Sequence, residues 1–500
     1  MILGIDLGTC NGLAAYLSQD GYPMMVPDVQ NKSLQHTPSA IVFNQEQVLV
    51  GDLAESYAFV YPDSHVIRYY KRRFGSQEPV WVSPEGKAWF SESLAAIQLR
   101  KIAHDFQMFS GETITGVVVT VPAHYSDNQR KSVIDAAKLA DLPLLGIIEE
   151  PVAAAIHHSS NLQENELIMV FDLGGGTFDL TLVTKIGNEF HVLAKDGLPS
   201  TGGKEFTELV ADKIKLAFKQ ATGYELPSSI RNQNKVYDSA EEIKIKLSDA
   251  SVQYLKYQLT IENTCLELTF SRDVLKTGVE KLMDKVNTCV VRCLRSVGIP
   301  LSQINKIVMV GGGCLLPEVK GYWEQQLTES HQGIVLSDPF HSIAKGAAVY
   351  ASSLHKSNLK LVKEPLQLKS VSSFNLGLQE SGNPSHNIEI LIQKNLPLPV
   401  SVSRHLEVEA GTVAEYNLIQ FWDLNDASFH LGSVKIGPFR EKMHLKLIFE
   451  NREDGTIGMK VKSEIDMKDV PFGFTKKAAK HTFSFEDQKN MLRGLVINNI

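Results

Sequence analysis

Two short glycine-rich turns carry the chemistry that this chain can be read for. Ile5-Asp6-Leu7-Gly8-Thr9 opens the sequence, and Phe171-Asp172-Leu173-Gly174-Gly175-Gly176-Thr177 repeats the pattern 166 positions later (172 − 6). Each follows a run that reads as a buried strand, Ile2-Leu3 and Leu167-Ile168-Met169-Val170. Each sets an aspartate at the strand end, then glycine, then a hydroxyl. Glycine lets the backbone turn tightly and bring N–H groups against an anion. The aspartate suits a hydrated Mg²⁺ beside that anion. Two facing copies make a clamp for a polyphosphate. One such turn alone is a weak signal. The pair in strand context, with a third glycine turn at Gly311-Gly312-Gly313, is a strong one.

The elements around these turns fall into two parts. Through Leu354, short β-branched runs such as Gly116 to Val121 and Lys306 to Val310 alternate with helical stretches, Asp127 to Ala140 and Asp338 to Ser353 among them. That alternation predicts an α/β fold over residues 1–354, with two related lobes around a cleft. A polar, lysine-rich stretch over 355–363 reads as a linker. Beyond it, period-two alternation takes over in Ile388-Glu389-Ile390, Leu445-Lys446-Leu447 and Met459-Lys460-Val461, with a turn at Asp454-Gly455. An antiparallel β-sandwich is expected over 364–486 and a short helix over 487–500.

Composition narrows the class. The chain has 500 residues, 43% of them hydrophobic, enough for two to four domains. A net charge of −7 argues against a general nucleic-acid binder. No apolar run approaches the length that crosses a bilayer, and no basic leader precedes the first strand. A cytoplasmic protein without membrane or nucleic-acid partners is the expectation. The five cysteines show no metal-ligand spacing; Cys289 and Cys293 read as one buried helix face.

Taken in order, Gly4 to Asn11, Val121-Pro122-Ala123-His124-Tyr125, Glu150-Pro151-Val152-Ala153-Ala154-Ala155, Asp172 to Asp179 and Val310-Gly311-Gly312-Gly313 resemble the seventy-kilodalton heat-shock chaperones. These are the DnaK-like branch of the actin-type ATPases. The resemblance covers the α/β part and continues more weakly into the sandwich at Leu431-Gly432 and Asp454-Gly455. It implies an actin-like ATPase of duplicated ribonuclease-H-like lobes, followed by a β-sandwich that binds polypeptide. It also implies ATP or ADP with Mg²⁺ as cofactors. By the same resemblance, Gly8, Thr9, Gly174, Gly175, Gly176 and Thr177 form the phosphate cradle. Cys10, Asn11, Gly202 and Gly203 join the cofactor-binding set. Asp6, Asp172 and Asp179 surround the metal through its waters. Lys71 and Glu150 fit the catalytic cation and the water-side carboxylate, with Thr177 beside the γ-phosphate and Asp179 also in the catalytic set. Glu241, Lys244 and Ser248 hold the nucleoside from one side, and Gly312, Gly313 and Leu315 from the other.

Local sequence leaves other readings open. Lys71-Arg72-Arg73 equally reads as a solvated basic patch, Glu149-Glu150 as a helix start, and Glu241-x-x-Lys244 as an exposed helix face. Leu406, Tyr416 and Leu418 are pocket residues or sandwich core.

Several positions depart from the family pattern. Leu315 stands where the family stacks an arginine on adenine, so weaker nucleotide affinity or looser base preference is expected. Cys10 replaces a threonine; beside phosphate-binding N–H groups its thiol is expected to have a lowered pKa and to block ATP when oxidised, unless it simply fills the turn. Gly146, Glu149 and Lys360 replace residues the family uses for its J-domain partner and interdomain linker, while Pro122 and Arg130 match those that couple the domains. The chain stops too soon for the family's helical lid, so rapid peptide exchange is expected.

The leading reading is therefore an ATP-hydrolysing chaperone for extended, unfolded polypeptide, served by a J-domain co-chaperone and a nucleotide-exchange factor. A nucleotide-sensing regulator with little hydrolysis and a small-molecule kinase are the alternatives.

Overall fold

The computed structural model describes the chain except residues 45–46, 162, 328–332, 356–364, 382–387, 423–427, 476–483 and 499–500. The duplicated turns lie in duplicated sheets. In the first lobe the strand order is Leu144–Glu149, Gly116–Val121, Ile2–Leu7, Asn11–Leu17 and Pro23–Met25, with Thr37–Pro38 also pairing Asn11–Leu17. In the second it is Gly333–Val335, Lys306–Val310, Leu167–Leu173, Phe178–Ile186, Glu189–Leu198 and Gln367–Lys369. Both lobes use one device. An antiparallel hairpin carries the turn, and a parallel strand lies on its other side. In the second hairpin Asp172 and Asp179 are directly opposed partners, so both carboxylates start from one sheet level. The strands Ile2–Leu7 and Gly116–Val121 are buried along their whole length, as expected of a sheet covered on both faces.

Two alanine-rich helices, Glu150–His157 and Ser342–Ser353, cross between the lobes. Their contact is too close for side chains. A Cβ on Gly346 would sit 1.7 Å from the Ala153 carbonyl oxygen, and one on Gly4 would sit 2.0 Å from the Ala348 nitrogen. Glycine at these two crossings brings the helices and the first strand together, which fixes the floor of the cleft. The second helix starts at Ser342 rather than Asp338, because Asp338 has φ 56° and Pro339 follows it. Cys289 and Cys293 are buried on the helix Asp273–Ser296.

The period-two region forms two antiparallel sheets. One runs Glu389–Ile392, Asn375–Glu380, Ala414–Phe421, Ser428–Ile436, Gly473–Thr475; the other runs Val400–Val408, Met443–Asn451, Ile457–Ser463. Their inner faces share one core that contains Tyr416 and Leu418, with Leu406 packed partly buried against it. The pocket reading of Tyr416 and Leu418 is therefore corrected: their alternation points them inward.

Two segments lie away from the sandwich. Gln367–Lys369, within the span assigned to it, pairs with Glu189–His191 as the edge strand of the second lobe. The linker residues 356–363, Lys360 included, lie outside the described residues. The terminal helix spans Phe485–Leu492 and packs on the first lobe. Ser93 Oγ donates to Gln488 Oε1 at 2.6 Å, Arg100 donates to the Leu492 carbonyl at 2.8 Å, and Leu492 joins the lobe's core. The chain then runs beside Val48–Val50, where the Asn498 side chain accepts from the Val50 N–H and donates to its carbonyl.

Candidate nucleotide site

Asp6, Gly8, Thr9, Cys10, Asn11, Lys71, Glu150, Asp172, Gly174, Gly175, Thr177 and Gly312 line one crevice of about 80 Å³. Residues far apart in sequence meet here because most of them sit where a strand gives way to a turn or a helix. Lys71 lies in the short turn Tyr70–Arg73 and is 2% exposed, which removes the solvated-patch reading. Its Nζ pairs with Glu150 Oε1 at 2.7 Å. Glu150 opens the helix Glu150–His157, with Pro151 fixing the first turn.

The crevice is rich in buried acid. Burial raises Asp6 above the ordinary carboxylate range, and raises Asp172 well above it with help from Glu150, Asp179 and Asp6. Burial, with Asp6 and Asp179 nearby, pushes Glu150 up to about 7 against the pull of Lys71. Lys71 is itself held above its ordinary value: burial opposes its charge, and Glu150 and Asp6 more than offset it. Asp179 lies behind this group. Its Oδ1 accepts from the His124 backbone N–H at 3.2 Å and meets His124 Nδ1 at 2.8 Å, while its Oδ2 has no hydrogen-bond partner among the described residues. Four clustered carboxyls facing one lysine are short of positive charge, and a divalent cation beside a phosphate chain fits that deficit. Among the described residues, no group of three His, Cys, Asp or Glu side chains is arranged to ligate a metal directly.

The second turn is braced from below. Gly203 N–H donates to the Gly174 carbonyl and Lys204 N–H to the Gly175 carbonyl. Gly202 N–H donates to Glu205 Oε2 at 2.7 Å, and Arg72 joins Glu205 to the Gly176 carbonyl at 2.7 Å. Gly202 and Gly203 thus use their N–H groups on the loop and its brace. A Cβ on Gly202 would meet the Gly174 oxygen at 2.6 Å. Arg72, with this bracing role, was not singled out by sequence reasoning; a basic residue next to a buried lysine gives no separate signal.

Cys10 faces the opposite turn. A Cβ on Gly175 would sit 2.2 Å from its Sγ. The expectation of an acidic thiol is corrected: burial, then Glu241, push Cys10 up to about 11. Lys244 and Arg72 favour a thiolate but are outweighed by burial and Glu241, which leaves the residue as a filler of the turn.

Glu241, Lys244 and Ser248 do not line the crevice: Lys244 Nζ pairs with Glu241 Oε1 at 2.6 Å, and Thr207 Oγ1 donates to Glu241 Oε2 at 2.6 Å. Ser248 Oγ donates to the Lys244 carbonyl of its own helix. Gly313 packs on Leu173, and Leu315 is 44% exposed at the rim. Phe340, missed in the sequence, lines the crevice and would contact a Cβ on Gly312 at 3.3 Å. The rim of the cleft is clasped by Tyr69 and Tyr237, whose hydroxyls are 2.8 Å apart, and by Asn234, which donates to the Pro62 and Ser64 carbonyls.

With this geometry described, comparison with known proteins decides the family. The model of the family described as Hsp70 protein matches residues 2–416. The Chaperone protein DnaK of Nitrosopumilus maritimus (strain SCM1) is 31% identical over 409 residues, 80% of this chain. The chain belongs to the Hsp70 family. It spans 62% of the length of that DnaK relative. The fold is the Hsp70 one, an actin-like ATPase fold followed by a β-sandwich.

In this Hsp70 chain the sandwich docks against the two α/β lobes. Arg130 donates to the Asp454 carbonyl at 3.0 Å and pairs with Glu149 at 2.8 Å. Asp127 N–H donates to Gln420 Oε1, and Ile457 N–H donates to Asp127 Oδ1 at 2.7 Å. Lys195 also pairs with Glu149 at 2.8 Å and donates to Ser370. Burial opposes the Glu149 charge, but Lys195 and Arg130 hold it below the ordinary range. Burial, relieved in part by Glu149, brings Lys195 down to about 8. Gly146 lies in the wall of a cleft of about 1200 Å³ between lobes and sandwich, with open space where a side chain would stand. Among the described residues no helix is long and apolar enough to cross a membrane.

Proposed function

We propose that this chain hydrolyses ATP and uses the nucleotide state to control binding of extended, unfolded polypeptide, as a chaperone of the Hsp70 type. The observation that carries this reading is the crevice itself: two glycine turns face each other across a buried Lys71–Glu150 pair and three further acids. Phosphoryl transfer to water needs little beyond position and charge stabilisation. In this reading Gly8, Thr9 and Gly174 to Thr177 present donors to the phosphates. Asp6, Asp172 and Asp179 would hold a hydrated Mg²⁺, which supplies charge neutralisation on the phosphates. Lys71 gives a point cation to the attacked group. Glu150, at about 7, is poised to take a hydrogen bond from the attacking water. Glu241, Lys244, Gly312, Gly313 and Leu315 border the nucleoside.

Docking of the sandwich through Arg130 and Asp127 gives a physical route between the two ligands. Clients, a J-domain partner and an exchange factor are proposed on family grounds. One observation favours a sensor instead: Leu315 offers no planar cation to a base. Single-turnover hydrolysis, with and without an unfolded peptide, separates the readings. Acceleration by peptide supports the chaperone. ATP binding without turnover supports the sensor and refutes the proposal.

A further inference from the structure

Gln98 is an amide set in an apolar core. It stands midway along the helix Ser91–Ser110, has no exposed surface, and takes no part in lining the crevice. Its neighbours on the helix, Ala95, Ile97, Leu99 and Ile102, belong to the hydrophobic core of the first lobe. A buried amide costs free energy unless its polar atoms find partners. Gln98 has three. Its Nε2 donates to the Thr37 carbonyl at 3.1 Å and to Ser39 Oγ at 3.0 Å, and its Oε1 accepts from the Tyr70 hydroxyl. Gly12 leaves room for this amide, since a Cβ there would stand 2.7 Å from Nε2.

Both ends of this run of hydrogen bonds lead back to the crevice. Ser39 holds the first glycine turn twice: its hydroxyl donates to the Gly8 carbonyl at 3.1 Å, and its N–H donates to the Cys10 carbonyl at 2.7 Å. A trans peptide unit points its C=O and N–H in opposite directions. Fixing the Gly8 carbonyl on Ser39 therefore fixes the aim of the Thr9 N–H, on a residue that lines the crevice. At the other end Tyr70 is 1% exposed and immediately precedes Lys71.

We propose, resting on the ATPase reading above, that Gln98 is a positioning residue for phosphoryl transfer: its amide ties the first phosphate turn to the segment that carries Lys71. Gln98 acts through Ser39 on one side and Tyr70 on the other, and so sets the gap between the donors of the turn and the cation. Packing by itself gives no reason for an amide here, because a methionine fills a similar volume in a core. Without the amide, the turn and the Lys71 segment are no longer bonded to one common group, and the spacing between them loosens. Misplacement of this kind costs rate more than ground-state binding, since many other groups still hold the nucleotide.

Two variants of the full chain test this. Gln98→Met removes all three bonds of the amide and nearly keeps its volume. Tyr70→Phe removes one hydroxyl, so it decides the matter if Gln98→Met does not fold. Single-turnover hydrolysis is measured beside ATP affinity, and the Thr9 amide resonance is followed by TROSY NMR as Mg-ADP is added. Hydrolysis should fall about tenfold in each variant, with ATP affinity within about twofold of the wild type. The double variant should fall no further than Gln98→Met, because Tyr70 acts through the amide. A purely structural role predicts neither that split nor that lack of additivity. Turnover within about twofold of the wild type in both variants overturns the proposal, as do losses that multiply in the double variant or a loss confined to affinity. Absence of hydrolysis in the wild type overturns the ATPase reading instead, and the Thr9 resonance then decides. A response to Mg-ADP that is altered in the variants sustains the positioning of the turn by Gln98; one that is the same in all three proteins overturns it.

Discussion

Replacing Glu150 by Gln should flatten the pH dependence of stability of the unliganded chain. Glu150 is 6% exposed, and burial with Asp6 and Asp179 nearby holds it at about 7 against an ordinary 4.5. The sign follows from proton binding. Between those values the folded chain keeps a proton that the unfolded chain has released. The stabilising contribution is therefore fully present below 4.5 and is lost as pH rises through about 7. The gap, 7 − 4.5, is about 2.5 units. At roughly 1.4 kcal/mol per unit that is about 3.5 kcal/mol over the whole titration. Asp6, raised by burial, imposes the same trend on both proteins, whereas Asp172, raised in part by Glu150, loses some of its own shift in the variant and adds to the difference. Urea denaturation without nucleotide, at about pH 5 and about pH 8, measures the difference. Because pH 5 already lies above 4.5, the wild type should lose about 2.5 kcal/mol more than Glu150→Gln between the two conditions. Equal slopes would refute the claim that Glu150 is a buried carboxyl titrating beside Lys71. The same variant should lower single-turnover hydrolysis about a hundredfold while leaving nucleotide affinity unchanged.

Gly346→Val drives a side chain into the Ala153 carbonyl, whose oxygen lies 1.7 Å from the Cβ position. A loss of about 4 kcal/mol or more is expected, read as a collapse of the thermal transition. Arg130→Ala removes the bond to the Asp454 carbonyl and leaves Glu149 with Lys195. The sandwich should undock more readily, with hydrogen exchange at Asp454 to Ile457 at least about tenfold faster; unchanged protection counts against the docking role. Cys10, with its thiol pushed up to about 11, should resist iodoacetamide at about pH 8 in the folded chain, whereas exposed Cys265 reacts. Peptide mapping by mass spectrometry distinguishes the two.

How much of this was legible in the sequence depends on the range of the contact. The duplicated turns were readable because strand, aspartate and glycine are contiguous, and their facing arrangement follows from the duplication. Period two marked the sandwich, but alternation does not say which face is inward, and Tyr416 and Leu418 fell on the core side. Lys71 and Glu150 are 79 positions apart, and no local pattern joins a short basic turn to a helix start. Family resemblance supplied that pair; the residues by themselves gave a basic patch and a helix cap. The bracing of the second turn by Arg72 and Glu205, and the Arg130–Glu149–Lys195 group, are also long-range charge contacts with no sequence signature. For Cys10 the turn was recognised and its surroundings were not. Proximity to backbone N–H groups favours a thiolate, but burial between two lobes and the nearby Glu241 outweigh it.

The strand end at Glu149 and the helix start at Glu150 put two neighbouring carboxyls to opposite uses. Glu149 turns toward Arg130 and Lys195, which reach the sandwich at Asp454 and Ser370. Glu150 turns toward Lys71 in the crevice. One peptide unit separates them, and Pro151 restricts the backbone that follows. Little conformational slack is left at this junction. A displacement of the Arg130–Glu149 group as the sandwich moves must be taken up by the strand Leu144–Glu149 or passed to Glu150. The strand is hydrogen-bonded in parallel register with Gly116–Val121, which opposes the first outcome. A shift of a few tenths of an ångström at a 2.7 Å ion pair is enough to change the charge presented to a phosphate. The interdomain contact and the candidate catalytic pair thus meet at neighbouring residues, and any coupling between two ligands through this junction requires that both bias its position.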